Sequence, residues 1–269
     1  MVGPSDYPGA GILGYENIIV ERDENVAIVT LDRPQVLNAL SSALMAELDA
    51  AVGKLEEDAE VSVIVLTGTG NRAFSAGGDI HEMARLAELD EPPPADPRRA
   101  EYGWHMASCK KPTIGAINGL AYGGAALMAS SLDIRIGCEN TSFRFLAATY
   151  GRVNATWSLP MQIGWPAAKE LLFTGRVVEA REAYRIGLLN HLVAADHLML
   201  KAMEIAKLIA ANDGRMVQGI KDLMIEDVGA TWRRMYDNEL GAQSGKLRGT
   251  PVKEGFKDFL QRKGVKRSN

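Results

Sequence analysis

Two glycine-rich segments about 45 residues apart carry groups that could do chemistry through the backbone alone: AFSAGGDIHEM at residues 73–83 and NGLAYGGAALMASSLDI at residues 118–134. In each, a glycine pair stands where a strand hands over to a helix, Gly77-Gly78 after the apolar run VSVIVLTG and Gly123-Gly124 after TIGAIN. Glycine admits close approach of the backbone to a ligand, and a helix start leaves N–H groups without internal partners. Two such groups from separate segments can grip one developing oxyanion. Either segment alone reads as a plain strand-to-helix turn, and a chain with 27 glycines has many of those. The ordered pair is far more specific, with Asp79 ahead of one helical pattern and Asn118-Gly119 ahead of the other. No nucleophile accompanies it: there is no Gly-x-Ser-x-Gly, and neither Cys109 nor Cys138 has a recognisable histidine and acid partner.

The elements that must hold these segments follow from the apolar patterning. NIIVER and VAIVTL, joined by Asp23-Glu24-Asn25, predict a hairpin. Leu44, Leu48, Ala51, Val52 and Leu55 recur at helical intervals behind an N-cap at Ser41 or Ser42. Residues 61–66 predict a buried strand, 80–89 a helix with Asp79 as its cap, and 98–109 a further helix. EPPPADP, at 91–97, breaks regular structure. Strands are expected at 113, 134–138 and 142–145, and everything after Ser158 reads as helical. The pattern is an α/β core followed by a helical C-terminal part.

Bulk properties narrow the function classes. A net charge of -4 and a pI near 5.7 argue against nucleic acid or an anionic membrane as the main partner. An anionic ligand must then be held by local basic groups and backbone N–H donors. Two cysteines give neither a disulfide framework nor metal spacing, which fits a reducing cytoplasm. Residues 1–16 read as a flexible leader without the features of a secretory signal, and no apolar run is long enough to span a bilayer.

The motifs taken together resemble the crotonase superfamily, the enoyl-CoA hydratase/isomerase family, from about Asn17 to the C-terminus. LDRPQVLNAL (31–40), AFSAGGDIHEM, KKPTIGAINGLAYGG (110–124), DIRIG (133–137), ELLFTGR (170–176) and EAYRIGLLNHLV (182–193) carry the likeness. The resemblance implies a spiral of β-β-α units over 17–195, with residues 196–269 forming a C-terminal helical region that assembles the chain as a homotrimer or a dimer of trimers. It implies an acyl-CoA substrate and no resident cofactor. By position, it makes the N–H groups of Gly78 and Gly124 the donors to a thioester oxygen. Gln35, Val36 and Leu37, with Ala76, would contact the nucleotide end of CoA, and Arg72 its phosphates. His81 replaces a lysine often found in the hydratases and is a weaker phosphate anchor.

The acid/base equipment departs from that pattern. The two hydratase glutamates fall on Leu127 and Ala147, neither of which can move a proton. Between Gly151 and Gly164 the chain reads RVNATWSLPMQI, about three residues short of the usual loop, with Trp157 expected to fill the freed space or to cover a helix start. The helix before Lys110 borders the acyl pocket in relatives, so His105 and Glu101 are the replacement candidates. A single histidine at helical spacing is more often structural than catalytic, and both readings of His105 stand. The expectation is an acyl-CoA enzyme that stabilises a thioester enolate without being a hydratase. The alternatives are a decarboxylase or carbon–carbon hydrolase of a β-dicarbonyl thioester and, in another class, a non-catalytic acyl-CoA-binding subunit.

Overall fold

The structure, a computed structural model, describes residues 14–90 and 96–255; most of the leader and of the proline segment lie outside them. Two compact units divide after Gly214. In the first, β1 (Ile18–Asp23) and β2 (Val26–Leu31) form the expected antiparallel hairpin, and α1 (Ser42–Glu57) follows. Ser41 is the N-cap of α1, its side chain accepting from the Leu44 N–H at 3.2 Å. Three further pairs of strands are each followed by a helix. They are β3 (Val63–Gly68) and β4 (Ala73–Ser75) with α2 (Ile80–Ala87), then β5 (Thr113–Ile117) and β6 (Leu120–Tyr122) with α4 (Gly124–Ser131), then β7 (Ile134–Gly137) and β8 (Ser142–Arg144) with α5 (Leu159–Ile163). A short α3 (Tyr102–Ser108) precedes β5.

Each of those three pairs gives its first strand to a six-stranded sheet, ordered β1-β2-β3-β5-β7-β10, and its second to a four-stranded sheet, ordered β4-β6-β8-β9. This is the spiral of β-β-α units. The large sheet is parallel apart from β1, so its central strands are covered on both faces and read as unbroken apolar runs. Ala27, Val29, Leu31, Ile64 and Leu66 pack with Leu44, Leu48, Ala51, Val52 and Leu55 of α1. The alternate residues Val26, Ile28, Val63 and Val65 pack against Leu198, Ala202, Met203 and Ala206 of α8 (Leu198–Ala210). Truncating a wholly buried leucine such as Leu44 to alanine would cost about 2–5 kcal/mol.

Several sequence expectations need correction. Residues after Ser158 are not all helical: α6 (Trp165–Thr174) and α7 (Ala180–Arg185) flank β9 (Val177–Glu179), which pairs antiparallel with β8, and β10 (His191–Leu192) extends the large sheet beside β7. Strands of two or three residues owe their form to tertiary pairing and leave almost no period to read. The helix expected at 98–109 begins only at Tyr102. Within the helical stretch that starts near residue 196, α8 carries its apolar stripe onto the large sheet and belongs to the first unit.

The second unit holds α9 (Gly214–Glu226) from Arg215 onward, α10 (Trp232–Ser244) and α11 (Val252–Gly255). Within it the Arg215 guanidinium donates to the Arg248 carbonyl at 3.1 Å, and Asn238 donates to Asp227 at 2.6 Å. Among the described residues no helix is long and apolar enough to cross a membrane.

Candidate functional site

The two glycine segments meet because β4 and β6 lie side by side, parallel, with Ala73 opposite Leu120 and Ser75 opposite Ala121. Phe74 is therefore an extra residue in β4, a bulge whose side chain is fully buried in the core. Beyond the ladder, Gly77 has φ +90°, and a Cβ there would stand 2.4 Å from the Tyr122 carbonyl oxygen and 3.2 Å from the Gly124 nitrogen. Only glycine lets the segments come this close. The Gly78 nitrogen lies 3.8 Å from the position a Gly124 Cβ would occupy, so the two amides are neighbours. Gly124 opens α4 and has no acceptor within its own helix. Leu40 straps the first segment, its N–H donating to Gly77 O at 2.8 Å and its carbonyl accepting from the Asp79 N–H at 3.2 Å. Among the described residues neither the Gly78 nor the Gly124 N–H donates to a loop or turn carbonyl.

Asp79 is the cap of α2, as its sequence position predicts. Its Oδ1 accepts from the Glu82 N–H at 3.1 Å, and its Oδ2 pairs with Arg33 Nη1 at 2.9 Å. The Glu82 N–H, opposed by burial and helped by the Arg33 guanidinium, holds the Asp79 carboxyl below its ordinary value.

Gly78 and Gly124 line one cavity of about 350 Å³, walled mainly by Leu40, Met45, Leu48, Val52, Met106 and Met128. Leu127 lies in its wall and Ala147 is not among its lining residues, and neither of the two positions where the resemblance would set a carboxylate carries one. Trp157 also lines the cavity and meets Trp104 edge to face, with ring centroids 6.0 Å apart. Two residues before it, Ala155 takes the left-handed conformation with φ 56°.

A polar cluster also reaches the cavity. His105 is there, and its Nδ1 is 2.5 Å from Oδ1 of Asp49, a residue of α1 that sequence reasoning missed. The Asp49 Oδ2 pairs with Arg98 Nη2 at 2.6 Å, and His105 Nε2 stands 3.7 Å from Glu56 Oε2. Asp49 is 7% exposed. Its signal was readable, since Met45, Leu48, Asp49 and Val52 stand at i, i+3, i+4 and i+7, which puts a carboxylate in an apolar stripe. Tyr102, also in the wall, donates its hydroxyl to Asp96, and that bond pushes the phenol up to about 12. Glu101 is exposed and is not among the cavity's lining residues. Among the described residues no group of three His, Cys, Asp or Glu side chains could hold a metal ion.

The residues expected at the nucleotide end form a separate cluster outside the cavity. Gln35 and Val36 lie in a 3-10 turn, Pro34–Val36, and Leu37 follows with φ 53°. The Leu37 carbonyl accepts from the Ala76 N–H at 2.9 Å, which ties this turn to the segment that carries Gly78. Asn38 fixes the turn from beneath, donating to Thr69 O at 3.1 Å and Ala73 O at 3.0 Å and accepting from the Arg33 N–H. Arg72 and His81 are exposed, and Arg72 has no carboxylate partner among the described residues.

Comparison with known proteins agrees with this architecture. The family model described as enoyl-CoA hydratase/isomerase matches residues 21–266. The chain is 38% identical over 207 residues to the short-chain-enoyl-CoA hydratase of Clostridium acetobutylicum, covering 73% of this chain and 76% of that one. It is 31% identical over 262 residues to the crotonyl-CoA hydratase of Syntrophomonas wolfei, covering 93% and 97%. Among solved structures, an enoyl-CoA hydratase from Bacillus anthracis superposes with a TM-score of 0.81 at 30% identity, covering 92% of this chain and 97% of the other. The chain belongs to the enoyl-CoA hydratase/isomerase family, the crotonase superfamily, and is an enzyme of CoA thioesters.

Proposed function

We propose that this enzyme forms and stabilises the enolate of a CoA thioester, and that hydration is not its reaction. The observation that carries the reading is one apolar cavity with the adjacent amides of Gly78 and Gly124 in its wall and Leu127 where a hydratase carboxylate would stand. In this reading the two N–H groups hold the thioester oxygen as charge develops on it. One such donor is typically worth about 3–4 kcal/mol of barrier. The turn at Gln35, Val36 and Leu37, with Ala76, holds the nucleotide end, and Arg72 supplies charge for the phosphates. His105 belongs to the polar wall that does the proton work. No cofactor beyond the CoA of the substrate is required.

Decarboxylation of a β-carboxy thioester is the second reading. It is favoured by Arg99, a cavity-lining cation whose Nη1 donates to Ser42 Oγ at 3.0 Å. Asp49, a carboxylate set in the otherwise apolar stripe of α1 that faces the cavity, weighs against a purely non-catalytic binding subunit, because an apolar side chain there would avoid the desolvation of an ion pair. We also propose assembly as a homotrimer or a dimer of trimers, supported by the exposed stripe Trp232, Tyr236 and Leu240 along α10, and a cytoplasmic setting, supported by the buried free thiols of Cys109 and Cys138.

The test is hydration of crotonyl-CoA alongside calorimetric binding of CoA, acetyl-CoA and a longer acyl-CoA. Binding is expected with the thioesters, and turnover at least about two powers of ten below the ordinary value of about 10 per second. Hydration at the ordinary rate would overturn the reading.

A further inference from the structure

Asp49 is a carboxylate that α1 had no structural need to bury. Its helix neighbours in the cavity wall are Met45, Leu48 and Val52, and an apolar side chain there would continue the stripe without the desolvation that an ion pair carries. The chain instead supports it from α3 and the turn before it. The His105 ring reaches across Gly53, where a Cβ would be 3.6 Å from Cε1, and bridges Asp49 and Glu56, two turns apart on α1. Glu56 is itself fixed by the Lys110 N–H at 2.7 Å. Both nitrogens of His105 thus face carboxylates of α1. Asp49 has one oxygen on His105 and the other on Arg98, whose side chain is 65% exposed. Each carboxylate oxygen keeps a second lone pair.

We propose that Asp49 is the proton-transferring group of this cavity and that His105 is its positioning residue. The inference rests on the enolate reading above. Asp49 takes a proton from the carbon next to the thioester carbonyl, and the electron pair of that C–H bond passes to the thioester oxygen, held by the Gly78 and Gly124 N–H groups. Returning the proton to the same carbon gives exchange with solvent. Returning it to the γ-carbon of a β,γ-unsaturated acyl group gives the α,β-unsaturated isomer. Atoms and charge balance in both, with no co-reactant and a single carboxylate.

The probe is butyryl-CoA in heavy water, with deuterium uptake followed by mass spectrometry and binding measured separately by calorimetry. The wild-type protein is expected to bind it and to exchange its α-protons. Asp49→Ala should bind as well as wild type but exchange at least about a hundredfold more slowly, and added formate should restore part of the rate by entering the space left. Asp49→Asn, nearly isosteric and so a guard against misfolding, should lose the same activity without rescue by formate. His105→Ala should exchange about tenfold more slowly or worse, whereas His105→Asn, which keeps an N–H for Asp49, should recover. Wild-type exchange in folded Asp49→Asn would overturn the role of Asp49 and leave the enolate reading in place, whereas binding without exchange in the wild type would overturn both and leave only the acyl-CoA assignment. Failure of the wild type to bind butyryl-CoA would overturn that as well.

Discussion

One wall of the cavity presents the amides of Gly78 and Gly124, another the side chains of Asp49 and His105, and the two are secured by different means. The amides are products of strand pairing: β4 and β6 run parallel, Gly77 allows the contact with Tyr122, and the donors follow whatever the surrounding side chains are. The polar cluster around Asp49 depends on the identity of four residues, Asp49, Glu56, Arg98 and His105, any of which one substitution can remove. A family can therefore keep the first wall and exchange the second. In the reading proposed above, Leu127 and Ala147 are departures of that kind, which would alter what moves the proton without touching the amides.

The sharpest way to break this comparison is Gly124→Pro. It deletes one N–H and puts a ring on the amide that lies against Gly77, so any activity should fall by at least about a hundredfold. Melting temperature and CoA affinity must be followed alongside, and a folded, CoA-binding variant with full activity would refute the role of the backbone. A second change tries to rebuild the other wall. Leu127→Glu places a carboxylate in the cavity from α4, and crotonyl-CoA hydration should rise yet remain about two powers of ten or more below an ordinary hydratase. Ala147, the second glutamate position of the resemblance, is not among the cavity's lining residues. An ordinary hydratase rate in this single variant would show that one carboxylate suffices.

Smaller effects separate packing from chemistry. Trp157→Ala removes the edge-to-face pair with Trp104 and opens the cavity, which should lower acyl-CoA affinity about tenfold, or roughly 1.4 kcal/mol, with little change for CoA itself. Unchanged affinity for both would make Trp157 a cover for α5 and nothing more. The smallest effect belongs to Asp79. Its folded-state carboxyl titrates below the ordinary value, so the unfolded chain binds more protons in that window and stability rises with pH. The contribution is fully present above 3.8 and is lost as pH falls through the lowered value. Asp79→Asn keeps a capping oxygen and should cost only roughly 0.5–1 kcal/mol near neutrality. Its melting temperature should also drop less than that of the wild type between about pH 6 and about pH 3. An equal drop would assign the acid sensitivity elsewhere.

Much of the first wall was legible in the sequence because glycine, turns and strand-to-helix transitions leave local marks: Gly77, Gly78, Gly124 and the cap at Asp79 all stand where the pattern puts them. The hairpin and α1 were legible through their periods of two and 3.6. What could not be read was set by partners far along the chain. Three-residue strands such as β4, β6 and β9 exist only as pairs, and α8 is recognisable as a core element only once the sheet it covers is known. His105 was visible as a residue but not as half of a pair, because Asp49 lies 56 positions away.

The bulge at Phe74 has a consequence for precision. Ser75 and Ala121 form one rung of the β4–β6 ladder, and each donor glycine lies the same number of residues downstream of its side of that rung. Without the extra residue Gly78 would be one step out of phase, about 3.3 Å, more than a hydrogen bond tolerates. With it, the amides of Gly78 and Gly124 come to the same level of the paired strands, and the register that sets this level is fixed by one phenylalanine locked in the core.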